Sequence, residues 1–169
     1  MKELLERLEK SRAIWLESLE GVGEEESRWR SSAERWSVLD CAEHVVNVEH
    51  RILRTLQNAP AIAAAPADPR RESMIYERVG ARAGAAPAPD LVLPTGRYAT
   101  LAEAVDAFVD RRNRAIDFLG KYKGDLRAIG AIHPLLGPCN GYEYALIMAA
   151  HSIRHAGQVR EIREAWRAR

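Results

Sequence analysis

Apolar residues recur at intervals of three and four along four separate stretches of this chain, and no stretch alternates convincingly with period two. That pattern predicts amphipathic helices, each with one stripe to bury. The first runs roughly from Lys2 to Glu20, with Leu5, Leu8, Trp15 and Leu19 as its stripe and Gly21 and Gly23 ending it. The second opens at Trp36-Ser37, where Ser37 is a good N-cap and Asp40, three residues on, gives a variant capping box. Its stripe is Cys41, Val45, Val48, Ile52 and Leu56, with His44 on the flank and Pro60 beyond the end. The third begins near Thr100, with Glu103 placed to complete a capping box, and carries Leu101, Val105, Phe108, Ile116 and Leu119. The fourth starts after Asn140, paired with Glu143, and carries Tyr144, Met148, His151, His155, Ile162 and Trp166. Four such segments predict an all-α four-helix bundle.

Between the second and third helices, residues 60–97 change character. NAPAIAAAPADP and GARAGAAPAPDLVLPTG are rich in Ala and Pro, and RRESMIYERV between them has the pattern of a short helix. A connection this long permits a crossover rather than simple up-down order, and it can rim a pocket. The segment IGAIHPLLGPCNG before the last helix reads as a loop.

At 169 residues the chain is expected to form one domain, 1–169, large enough for a full core. With 47% apolar and 29% charged residues it has a globular balance. Its net charge of +1 gives no basic excess to suggest nucleic acid or an anionic membrane as partner. Arg163, Arg167 and Arg169 read as a solvated helix end. The amino-terminal MKELLERLEKSR lacks a signal-peptide core, and no apolar run is long enough to span a bilayer. Cys41 and Cys139 share no CxxC spacing. The expectation is a cytoplasmic protein with reduced thiols.

Two imidazoles on a core-facing stripe need partners, because a buried polar ring is costly without them. His151 and His155, four residues apart, stack on one helix face, and a shared divalent cation satisfies both. His44 offers a third ligand from another helix. Three imidazoles leave coordination positions open. Imidazole suits zinc, nickel, copper and iron, with zinc or nickel expected here.

The residues also carry a resemblance. Trp36-Ser37 followed by CAEHVVNVEHRIL is similar to the start of the metal-binding helix in the DinB-like superfamily. DLRAIGAIHPLLGPCNGYEYALIMAAHSIRHAGQVREI resembles that superfamily's carboxy-terminal half: a His-Pro loop, a helix cap, then HxxxH followed shortly by Gln. The resemblance implies a four-helix bundle, often a homodimer, with a divalent metal on three histidines, which by position are His44, His151 and His155. It further implies a metal-dependent thiol S-transferase, in which the metal turns a low-molecular-weight bacterial thiol such as bacillithiol or mycothiol into a nucleophile against an electrophile. Two alternatives stay open: a metal-dependent hydrolase, and a non-enzymatic metal- or small-molecule-binding stress-response protein.

Other residues carry weaker expectations. His50 points away from the face of His44 and reads as a surface histidine. His133 is expected to shape its turn with Pro134, and Cys41 to pack in the core rather than ligate. Asn47 and Glu43 are candidates to orient the His44 ring. Gln158 is placed to bond a ligating ring or to pack at the helix edge. Arg154 is expected in a salt bridge, and the four tryptophans as packing anchors.

Overall fold

In a computed structural model, residues 1–82 and 87–169 are described. Four long helices form the bundle: α1 (Lys2–Leu19), α3 (Val38–Asn58), α5 (Leu101–Lys121) and α6 (Gly141–Arg167), with a short α2 (Glu24–Arg28) after the first and α4 (Pro69–Gly80) in the long connection. The caps are those the sequence predicts. Ser37 and Asp40 exchange both bonds of a capping box, as do Asn140 and Glu143. Thr100 accepts from Glu103 N–H, but the Glu103 carboxylate reaches back to Ala99 N–H rather than to the cap residue.

The apolar core has two ends. One joins Trp15 and Leu19 of α1, Val38 to Val46 of α3, Leu101 to Phe108 of α5, and Ala156 and Val159 of α6. The other joins Leu4 and Leu8, Ile52 to Leu56, Ala115 and Leu119, and Tyr144 to Ala149. The end of α1 thus meets the start of α3, the start of α5 and the latter part of α6. The order is up, down, down, up, and α3 lies parallel to its neighbour α5. Parallel neighbours need a crossover, and it falls between Asn58 and Leu101. On the way α4 packs on α6.

Several stripe positions shift from expectation. Leu4 is fully buried and Leu5 packs partly buried against the core, while Ser11 and Ser18 join the buried face and return their hydroxyls to Leu8 and Trp15 carbonyls. On α5 the inward positions are Leu101, Ala104, Phe108, Arg112, Ala115 and Leu119, while Val105 and Ile116 stand at its edge. The expected loop before α6 contains a short antiparallel hairpin, β1 (Gly130–His133) and β2 (Gly137–Asn140). Glycine is required inside it: a Cβ on Gly130 would lie 2.8 Å from the Cys139 carbonyl oxygen. The short helix expected in RRESMIYERV is α4, capped by Asp68 and started by Pro69. The part of the Ala/Pro-rich excursion at 83–86 lies outside the described residues. No helix among the described residues is long and apolar enough to cross a membrane.

Candidate metal centre

His44 projects from the first half of α3, and His151 and His155 from the middle of α6. His44 and His155 are 3% and 5% exposed, and His151 is less buried. The three rings converge, with centroids 4.4–4.9 Å apart. His44 Nε2 lies 3.1 Å from His151 Nε2, which lies 3.1 Å from His155 Nε2. The three ligand-capable atoms all fall within 4.8 Å of one another.

Proton placement decides what this cluster can do. His44 Nδ1 is 2.8 Å from the Val92 carbonyl oxygen. A carbonyl only accepts, so Nδ1 carries the proton and Nε2 presents a lone pair to the other rings. His151 Nε2 has two nitrogen neighbours and at most one proton, which satisfies one of them. His155 Nδ1 is buried without a hydrogen-bond partner among the described residues. Adding protons does not resolve the conflict. Burial, reinforced by the neighbouring histidines and Arg154, holds the His151 and His155 pKa values well below the usual imidazole range. Burial also lowers that of His44, against the opposing pull of the Val92 carbonyl. Three neutral imidazoles with nitrogens aimed at one point fit a divalent cation.

Trp36 forms a wall of the cluster. Its ring centroid is 4.8 Å from His44 and 6.3 Å from His155, nearly parallel to the latter at 23°. Its place beside the imidazoles is a function that a packing anchor on the sequence does not reveal. Trp15 does pack in the core against Phe108, and Trp29 packs edge-on against Trp166.

The remaining expectations divide. His50 is exposed. His133 Nδ1 accepts from Leu135 and Leu136 N–H and so shapes the hairpin turn. Cys41 is fully buried in the core, outside the histidine group, and burial pushes its thiol pKa up. Glu43 and Asn47 make no bond to the His44 ring itself. Asn47 Nδ2 donates to the Leu93 carbonyl at 3.3 Å, and Glu43 accepts from Thr95, Gly96 and Arg97. The ring is held by Val92, which belongs to the same segment. Gln158 makes no hydrogen bond to the His155 ring by geometry, and its Oε1 accepts a long 3.5 Å bond from Arg82. Arg154 donates to the Ala81 carbonyl. Arg163 is no solvated helix end: it donates to Glu26 at 3.1 Å and to the Ser18 carbonyl at 2.9 Å.

Arg82 after α4 and residues 92–97 before α5 are therefore fastened to the two histidine-bearing helices. Arg82 pairs with Glu161 of α6 at 2.7 Å, and residues 92–97 bond to His44, Asn47 and Glu43 of α3. Two open cavities lie away from the histidines. One, of about 570 Å³, runs between the carboxy-terminal halves of α3 and α5, lined by Arg54, Arg111 and Phe118 among others. The other, of about 820 Å³, lies between the hairpin and residues 60–72.

Comparison with known proteins agrees with the fold. Among solved structures, the chain is similar to YfiT from Bacillus subtilis, described as a probable metal-dependent hydrolase with an unusual four-helix bundle topology. The TM-score is 0.62 and the identity 16%, over 98% of this chain and 86% of that one. No curated protein matches the sequence. The family model for the DinB superfamily matches residues 7–159, and the chain belongs to that superfamily.

Proposed function

We propose that this protein holds a divalent metal ion on His44, His151 and His155 and is a metal-dependent thiol S-transferase. The observation that carries the metal reading is the convergence of three Nε2 atoms, with the His44 proton fixed on the opposite nitrogen by Val92. A bound divalent ion supplies Lewis acidity, which lowers the pKa of a thiol or water placed beside it. The chain's residues contribute neutral imidazoles, kept neutral by burial, and a wall of indole from Trp36.

The transferase form is favoured by where the nearby carboxylates go. Glu43 accepts from the 95–97 segment and Glu49 pairs with Arg112. Both are committed as hydrogen-bond acceptors, so neither stands ready as a general base. Transfer of an acidified thiol to an electrophile makes no demand for one, whereas hydrolysis gains from it. A low-molecular-weight thiol of the bacillithiol or mycothiol kind is the proposed cosubstrate. The second reading, a metal-dependent hydrolase, is supported by the description of the YfiT neighbour.

Elemental analysis of the wild type against His151→Ala and His155→Ala tests the metal. The wild type is expected to carry close to one ion per chain and both variants far less; equal loading in all three, or none, ends the metal reading. Incubating the loaded protein with bacillithiol or mycothiol and monochlorobimane tests the reaction. Metal-dependent formation of the thioether supports transfer. Turnover of a panel of esters and amides without it would move the assignment to hydrolysis.

A further inference from the structure

Glu43 precedes His44 in α3 and is only 2% exposed. A carboxylate so buried needs its lone pairs filled. Four donors fill them, all from one turn of the crossover: Thr95 N–H at 2.7 Å and Thr95 hydroxyl at 2.9 Å on Oε1, and Gly96 N–H at 2.9 Å and Arg97 N–H at 3.0 Å on Oε2. Gly96 has φ +79°, a conformation that side chains rarely adopt, and it lets successive N–H groups face the same carboxylate. Three residues earlier the same segment presents the Val92 carbonyl to His44 Nδ1. Two consecutive residues of α3 therefore grip one short segment, one by its N–H groups and the other by a carbonyl.

We propose that Glu43 is a positioning residue of the histidine centre: by holding the Thr95–Arg97 turn it keeps the Val92 carbonyl on His44 Nδ1, which fixes the tautomer whose Nε2 lone pair faces His151 and His155. The inference deepens the metal reading and rests on it for its functional meaning. Its physical content, the tautomer of one ring, is measurable without metal. The competing explanation is that Val92, itself 5% exposed, is anchored by its own side chain and that Glu43 only tidies a loop. Glu43→Gln separates the two. An amide of the same shape puts an NH₂ against backbone N–H groups, so it cannot accept from both ends of the turn.

The experiment is long-range ¹⁵N–¹H NMR of the histidine rings in metal-free protein at pH 8, with Co²⁺ titration in parallel. In the wild type, His44 is expected as a single Nδ1–H tautomer. In Glu43→Gln, a second His44 tautomer is expected to appear and Co²⁺ affinity to fall about tenfold to a hundredfold, the range for outer partners of ligating histidines. A folded Glu43→Gln protein with His44 wholly in the Nδ1–H form would overturn the proposal. If that variant does not fold, Thr95→Val replaces it, because it leaves α3 untouched and removes one of the four donors. A new His44 tautomer then supports the proposal, and an unchanged one overturns it. If the wild type takes up no Co²⁺ yet its tautomer still responds to Glu43→Gln, positioning stands and the metal reading falls.

Discussion

Arg112 has no exposed side-chain surface, and its partner Glu49 has 2%. They meet midway between the two apolar ends of the core. Arg112 Nε and Nη2 reach the two Glu49 oxygens at 3.0 and 2.5 Å, and the other donor positions reach the Leu8 carbonyl, Ser11 and Ser152. One guanidinium on α5 thus bonds to each of the other three long helices, beside the turn of α6 that carries His151. Removing one member of such a pair strands a buried charge, while removing both leaves an apolar gap. Arg112→Met is expected to lose about 3–5 kcal/mol. The double variant with Glu49→Leu is expected to recover most of it, measured by urea unfolding as a double-mutant cycle. Additive losses would show that the two charges act independently. This pair was illegible in the sequence because a charged residue at an inward register reads as an error in the stripe. Its one signal is spacing, four after Phe108 and three before Ala115. The partners are 63, 101 and 40 residues away and no local pattern names them. His44, His151 and His155 were legible because two of them share one helix face and an uncharged ring at such a position asks for a partner. Trp36 and the Val92 carbonyl were not: an aromatic is as easily core as wall, and a carbonyl leaves no mark on the sequence.

Helices announce themselves through their first turns, and the caps at Ser37, Thr100 and Asn140 were all visible as a short polar residue followed three positions later by an acid. The hairpin before α6 was not, since GAIH and GPCN are too short, and too rich in Gly and Pro, to alternate. The crossover was legible only as a length; that it runs between parallel helices follows from which core end each helix start joins. The start of α6 is the element where local chemistry bears most on the bundle. Asn140 accepts from Glu143 N–H at 3.0 Å, and Glu143 returns a bond to Asn140 N–H while also pairing with Arg71 of α4. The cap and the packing of α4 on α6 therefore share a carboxylate. Asn140→Ala is expected to cost about 1 kcal/mol, the usual loss for a good N-cap. For a chain of this size that is a fall in melting temperature of roughly 2–4 °C. A calorimetric scan checks it, and an unchanged midpoint would mean that Arg71 alone holds Glu143 in place.

For the molecule as a whole, the histidine centre ties stability to pH and, under the proposed function, to metal. In the metal-free protein the pKa values of His44, His151 and His155 are all lowered, so the folded state resists protons that the unfolded chain takes up with a pKa of about 6.5. Where the unfolded chain binds more protons, stability rises with pH. The contribution is thus complete above about pH 6.5 and lost as pH falls toward the lowered folded values. His50 and His133 are shifted the same way, mainly by burial, and add to the trend without belonging to the cluster. Comparing the wild type with His151→Gln/His155→Gln isolates the cluster's share. Urea unfolding of metal-free samples at pH 8 and pH 5.5 should show the wild type losing clearly more stability across the interval than the double variant. A divalent ion held as proposed would add stability at pH 8 by mass action, because its ligation to the folded state would be lost on unfolding. That gain also disappears in acid, since protons compete for the same nitrogens. Equal acid sensitivity in wild type and variant would mean that the rings relax enough to be protonated in place. In that case the convergence of the three Nε2 atoms would not be rigid enough to select a metal ion over water.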